Sequence, residues 1–141
     1  MIDKIEVTID VIVHATEDVL KILQSFELLN LKECDFTIQE TFGHFENPII
    51  MLNAKIIKKQ AQSFMEKLLE LLSEDQINRL IEEIEERTID SKFHMRLDKQ
   101  ELIRGNITIS EKDTIKIKIH TPIYNKKDTI KSFTEIFQMV N

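Results

Sequence analysis

The sequence predicts an α+β fold: a mainly antiparallel sheet of about five strands with helices packed on one face. Three observations carry this. Lys4–His14 alternates, with Ile5, Val7, Ile9, Val11 and Val13 on one side and Glu6, Thr8, Asp10 and His14 on the other, the period of a strand with one face on a core. Thr114–Thr121 alternates in the same way, setting Ile115, Ile117 and Ile119 against Lys116, Lys118 and His120. Between them, Lys58–Ile84 repeats apolar residues at the helical spacing that buries one stripe.

Each element follows from local chemistry. Thr16 is a candidate helix N-cap, with Glu17 and Asp18 suited to the positive end of the dipole. Val19, Leu20, Leu23 and Phe26 keep helical spacing, so that helix is expected to end near Leu28–Asn30. Glu33–Phe42 reads as a second strand with Cys34, Phe36 and Ile38 on one face. Gly43, Asn47 and Pro48 mark a turn. Ile49–Ile57, apolar on both sides, reads as a better-covered strand in hairpin with the second. Lys58–Leu72 is a helix with Ala61, Phe64, Met65, Leu68 and Leu72 inward. Ser73 and Gln76 make a capping-box start for the next helix, whose stripe is Ile77, Leu80, Ile81 and Ile84. Lys92–Leu97 is a strand with Phe93, Met95 and Leu97 inward and His94 and Arg96 outward. Asp98 and Glu101 form a capping-box-like pair on a short helix that Gly105 closes in the left-handed conformation. Asn106–Ile109 continues extended, Ser110–Asp113 turns, and Pro122 ends or edges the last strand. Asp128–Val140 closes the chain as a helix with Ile130, Phe133, Phe137 and Val140 inward.

Composition narrows the class. The 141 residues suit one α+β domain, 1–141, and with two Gly and two Pro they argue against disorder or a long linker. The alternating amino terminus is expected to be a strand and not a signal or transit peptide, and no apolar run approaches the roughly 20 residues that span a bilayer. Cys34, the single cysteine, can form neither an intrachain disulfide nor a cysteine zinc site, and suits a reducing cytosol; a cytoplasmic location is expected. The net charge of −6 excludes a generic polyanion binder. Its distribution is uneven, however. Glu66–Asp90 holds nine acidic and three basic residues, whereas Lys92–Lys131 holds ten basic and five acidic. Polyanion binding is therefore possible on one side only. The run Glu82, Glu83, Glu85 and Glu86 is a solvated helix face that would repel nucleic acid.

Catalytic signatures are missing. GxGxxG, P-loop, HExxH and GxSxG patterns do not occur. His14, His44, His94 and His120 are well separated; His94 and His120 both face outward, but a two-histidine metal site needs further ligands. No enzyme activity, cofactor or metal is expected. The best constellation is basic. Lys92, His94 and Arg96 share one strand face and Lys116, Lys118 and His120 another, and a hairpin would align them. Lys99 and Arg104 crowd the junction beside Arg96. Stacking aromatics are sparse on that face, which favours phosphate and duplex-shape recognition over base reading. The turn's His44, Phe45 and Asn47 can contact a ligand or simply shape the turn.

The segments Val13–Asp18 (VHATED), Gly43–Ile49 (GHFENPI) and Arg96–Gly105 (RLDKQELIRG) resemble an archaeal family of predicted exosome subunits or RNA-binding proteins. The resemblance runs over most of the chain. It implies a fold similar to large-subunit ribosomal protein five, RNA binding, and a place in RNA processing; no catalytic residue comes with it. The motif positions are His44, Asn47, Arg96, Asp98, Lys99, Gln100 and Gly105. The expected function is therefore a non-enzymatic RNA-binding module using Lys92, Arg96, Lys99, Gln100, Arg104, Lys116, Lys118, His44 and Asn47. Structured or duplex RNA is the expected partner ahead of single strands. RNA-processing proteins and a second copy of the chain are further candidates, and a membrane is not. The alternative is a protein-interaction or dimerisation scaffold, with a metal-dependent hydrolase third.

Overall fold

A computed structural model describes residues 4–112 and 114–138, with only the backbone of His44. Strands β1 (Glu6–Val13), β2 (Thr37–Phe42), β3 (Pro48–Ile57), β4 (Thr88–Ile89), β5 (Lys92–Asp98) and β6 (Thr114–His120) form an antiparallel sheet in the order β2-β3-β1-β6-β5-β4. Helices α1 (Val19–Ser25), α2 (Lys58–Leu71), α3 (Glu74–Glu82), α4 (Ile84–Arg87), α5 (Lys99–Ile103) and α6 (Thr129–Phe137) accompany it. The α+β reading is correct, with the short β4 added at one edge. None of the described helices is long and apolar enough to cross a membrane.

The core lies between the sheet and the helices. Ile5, Val7, Ile9, Val11 and Val13 are at most 1% exposed, as are Phe93, Met95, Leu97, Ile115, Ile117 and Ile119. Each such side chain contributes about 1.5–3 kcal/mol of burial. Ala61, Phe64, Met65, Leu68 and Leu72 come down on this layer from α2 and its end, and Phe133 and Phe137 of α6 pack against Phe93, the first tilted and the second edge-on. Because every core strand alternates strictly, the other sheet face keeps its polar residues in water.

Caps set several helix ends. The Asp98 carboxylate accepts from the Glu101 N–H at 2.9 Å, starting α5 where expected. At the far end Gly105 has φ 89, its N–H donates to Leu102, and the Asn106 N–H donates to Glu101. This pair of bonds is the Schellman closure that favours glycine at that position. The Glu101 side chain does not return to the cap; it binds Arg104 and Asn106. Ser73 likewise caps α3 through the Gln76 N–H. The Gln76 side chain instead accepts from the Ile109 N–H at 3.1 Å and donates to the Ile107 carbonyl at 3.4 Å. Those bonds tie the extended 106–109 segment to the helix layer while its backbone runs beside β5, where Thr108 accepts from Asp98 and Ser110 donates to Arg96.

Other expectations need correction. α1 is capped by Asp18, whose carboxylate accepts from Leu20 and Lys21, so it starts beyond Thr16. Its continuation tightens through Phe26–Leu29 and stops at Asn30, φ 63. Glu33–Asp35 is a helical turn, Cys34 is exposed, and only Phe36 is buried, its ring centroid 4.8 Å from that of Phe26. β2 is exposed along its length, including Ile38, because it is the sheet edge. β3 is covered on one side only: Leu52, Ala54 and Ile56 are buried, whereas Met51 and Ile57 are exposed. The helix read through Ile84 breaks at Glu83, whose carboxylate is held by both Arg79 and Arg87. In α6 Ile136 is inward and Ile130 is exposed; Val140 lies outside the described residues, as does Asp113 of the preceding turn.

Candidate nucleic-acid interface

Strand register arranges the uncovered face in rows, because cross-strand partners project to the same side. One row reads Thr37, Asn53, Asp10, Lys116 and Arg96. The next reads Lys55, Thr8, Lys118 and His94, and a third Ile57, Glu6, His120 and Lys92. The expected hairpin of β5 and β6 thus brings Lys92, His94, Arg96, Lys116, Lys118 and His120 together.

Among the described residues, Lys92, Arg96, Lys116 and Lys118 have no ion-pair partner. His94 sits among them. Partial burial, then the charges of Lys118, Lys92 and Arg96, push its pKa below the usual value of 6.5. The imidazole therefore responds to a positive field on this part of the sheet. The other three arginines are paired. Arg79 and Arg87 share Glu83 and Glu111, and Arg104 binds Glu101 at 2.8 Å. The acidic residues Glu82, Glu85 and Glu86 are exposed on the helix layer, away from the open sheet face.

The other half of the open face is nearly neutral. Asp10 accepts from the Asn53 side-chain amide, and both line a concavity of about 420 Å3 with Ile12, Gln39, Met51, Thr114, Lys116 and Lys118. Lys55, Asp10 and Asn53 belong to this face but are not among the candidates read from sequence. Lys55 and Asn53 alternate with Leu52, Ala54 and Ile56, so strict attention to period in β3 would have found them.

The remaining candidates lie elsewhere. Lys99 is a correction: its side chain is 1% exposed, and Nζ donates to the Ile12 carbonyl at 2.7 Å and to Glu17 at 2.9 Å. It is held inside by a carboxylate from the β1–α1 loop and is not presented beside Arg96. Gln100 donates to the same carboxylate at 3.2 Å. Glu17 also accepts from the His14 N–H, so the loop after β1 is tied to the start of α5. Arg104 is exposed and paired with Glu101. Asn47 lines a second concavity of about 340 Å3 with His14, Ala15, Thr16, Gly43 and Phe45. The His44 side chain is outside the described structure. His94 and His120 do fall on adjacent strands, yet no group of three or more His, Cys, Asp and Glu among the described residues could hold a metal ion.

Comparison with known proteins identifies the family. A family model described as RNA binding matches residues 6–121, the stretch from β1 through β6. An uncharacterized protein of Methanocaldococcus jannaschii is 32% identical over 137 residues, covering 89% of this chain and 91% of its own. A Pyrococcus abyssi protein named as RNA-binding is 34% identical over 123 residues, covering 82% and 80%. The crystal structure of a DUF54 protein from Archaeglobus fulgidus superposes with a TM-score of 0.81 at 27% identity, covering 94% of this chain and 99% of that one. With the family model spanning the whole sheet and both relatives above 30% identity over most of their lengths, the chain belongs to the RNA-binding family.

Proposed function

We propose that this protein binds structured RNA through the β5–β6 half of its open sheet face, holding phosphates with Lys92, Arg96, Lys116 and Lys118. One observation carries the reading: these cations stand in register around His94 without ion pairs, while Arg79, Arg87, Lys99 and Arg104 are each neutralised. Like charges on neighbouring strands disfavour folding, so a polyanion is the partner that relieves them. Such contacts fix position and read shape, and they supply affinity without base specificity. The protein acts by binding alone, as an accessory factor in RNA processing. The family resemblance further supports association with an exosome and a cytoplasmic setting.

The test is an anisotropy titration of a structured RNA at several salt concentrations. Four phosphate contacts give a slope of about −3 to −4 in log affinity against log salt, hence a loss of roughly a hundredfold between ~50 and ~200 mM. Reversing the helix-layer charge with Glu82→Lys and Glu86→Lys should not weaken binding. A slope near zero would exclude a phosphate-holding face. The scaffold reading rests on Ile12 and Met51, each more than 40% exposed in the concavity they share with Asp10, Lys116 and Lys118. A partner protein retained in a pull-down after nuclease treatment, without RNA affinity, would favour it.

The pH dependence has a definite sign. A phosphate beside His94 stabilises the imidazolium, so binding takes up a proton and RNA affinity rises as pH falls from ~7.5 to ~5.5, about tenfold for each unit the pKa is raised. The free protein moves the other way. The depressed folded-state pKa leaves the unfolded chain binding more protons near pH 6, so stability falls with acid. His94→Gln should flatten the pH dependence of affinity in the same titration. An unchanged profile would remove His94 from the interface.

A further inference from the structure

We infer that the concavity beside Lys116 on the open sheet face is a docking site for one unpaired guanine base of the RNA. This rests on the RNA-binding reading above and adds the nucleotide recognised. The register sets Asp10 of β1 directly opposite Lys116 of β6. Opposite charges so placed attract each other across the strands. Here the pair does not close. The Asp10 carboxylate turns to β3 and accepts from the Asn53 side-chain amide, and among the described residues Lys116 has no ion pair. An acceptor and a donor thus line the same recess without meeting. Its volume of about 420 Å3 falls within the range of small-molecule sites, about 300–1,000 Å3.

The apolar part of the recess suits a flat ring. Ile12 and Met51 line it as direct cross-strand partners, 42% and 43% exposed. They occupy outward positions of β1 and β3, where Asp10, Asn53 and Lys55 show that the strand period sets polar side chains. A base taken out of a helix is held in this way, by apolar or aromatic side chains against its face and hydrogen bonds at its edge. The thioether of Met51 is itself a favourable neighbour for an aromatic ring.

Edge chemistry selects the base. A carboxylate offers about four lone-pair positions, of which Asn53 takes one. Guanine alone among the RNA bases carries two adjacent N–H donors on its pairing edge, N1–H and the N2 amino group, with O6 beside them. The two donors fit Asp10, and O6 fits the Lys116 ammonium, since lysine and arginine are the usual partners of that oxygen. Adenine and cytosine bring one amino group next to a ring-nitrogen acceptor, and uracil brings one N–H between two carbonyls, so each turns an acceptor towards the carboxylate. The guanine edge is free only where the base is unpaired. Lys118 lines the same recess, and Arg96 stands in the row of Lys116. A duplex held by its phosphates on β5 and β6 thus presents a neighbouring unpaired nucleotide to Asp10.

The probes are a blunt RNA duplex and the same duplex ending in one unpaired guanosine, adenosine, cytidine, uridine or inosine. Wild type should bind the guanosine overhang about five- to a hundredfold tighter than the adenosine overhang. Inosine, which lacks only the N2 amino group, should fall between them. Asp10→Asn should erase that preference while its affinity for the blunt duplex holds or rises, because a negative charge leaves the face. A carboxylate that only repels phosphates would raise every affinity alike and keep the preference, which would overturn the assignment. Met51→Ala should weaken the guanosine overhang and leave the blunt duplex unchanged. Both variants should melt close to wild type, since neither side chain belongs to the core. If wild type binds all the overhangs and the blunt duplex alike while the salt-dependent affinity persists, the guanine site is wrong and the phosphate-binding face stands. If wild type binds none of these RNAs at low salt, both fall together.

Discussion

Lys99→Met should destabilise the protein by about 3 kcal/mol, the lower part of the range for breaking a buried ion pair from one side. Lys99 is 1% exposed and Glu17 13%, with Nζ 2.9 Å from the carboxylate and 2.7 Å from the Ile12 carbonyl. Methionine fills similar volume but leaves a shielded carboxylate without its cation, though still bonded to His14 and Gln100, and a β1 carbonyl without the lysine donor. The loss arises from those stranded groups and not from packing. A chain of this length should then melt roughly 10 °C lower, with the midpoint in urea falling at constant slope. Removing both partners should cost less than the single changes added together: Lys99→Met with Glu17→Leu should recover more than 1 kcal/mol, as expected when a buried pair is replaced by apolar groups. A single-variant loss below about 1 kcal/mol would show that water reaches the site. At temperatures where the variant is folded, its blunt-duplex affinity should stay near wild type, because Lys99 does not touch the open face.

The contrast between Lys99 and Lys116 shows where sequence period ends as a guide. In β1, β5 and β6 every other side chain is set by the pleat, so the buried set and the outward set were both readable, and the hairpin register followed from them. Asp98 and Gly105 were readable because their bonds close within a few residues. Lys99 follows Asp98 at a helix start, where local spacing says only that a lysine is solvated. Its burial depends on Glu17, 82 residues earlier, arriving at the same end of the sheet. The same holds for Gln76, which has capping-box spacing but is drawn to Ile109, 33 residues away. Cys34 and Ile38 were misplaced for a different reason: apolar content was taken for a covered strand, whereas β2 is an edge that the helices do not reach. The turn between β2 and β3 was marked by Gly43 and Pro48, but the left-handed backbone at Phe45 has no signature in the sequence.

Charge reversal of Lys116→Glu with Lys118→Glu should lower affinity for structured RNA about fiftyfold at ~0.1 M salt and reduce the salt slope by roughly 1.8. Both figures follow from losing two phosphate contacts at about 0.9 log unit each per log unit of salt. Lys116 is exposed and Lys118 half-exposed on β6, with inward neighbours Ile115, Ile117 and Ile119 at most 1% exposed, so the core is untouched. Glu at 116 would face Arg96 on one side and Asp10 on the other. Those contacts oppose each other, and the stability change should stay within about 1 kcal/mol. The milder pair Lys116→Gln and Lys118→Gln should give the same reduction in slope, since neutral side chains release no counterions, and should keep the fold free of new repulsion. Reversal also places negative charge beside His94, where Lys118 now lowers its pKa. The free-protein stability should therefore become less sensitive to acid near pH 6, a readout independent of RNA. If both double variants bind structured RNA like wild type at every salt concentration, the β5–β6 face is not where RNA sits, and a protein partner becomes the better occupant of the open sheet.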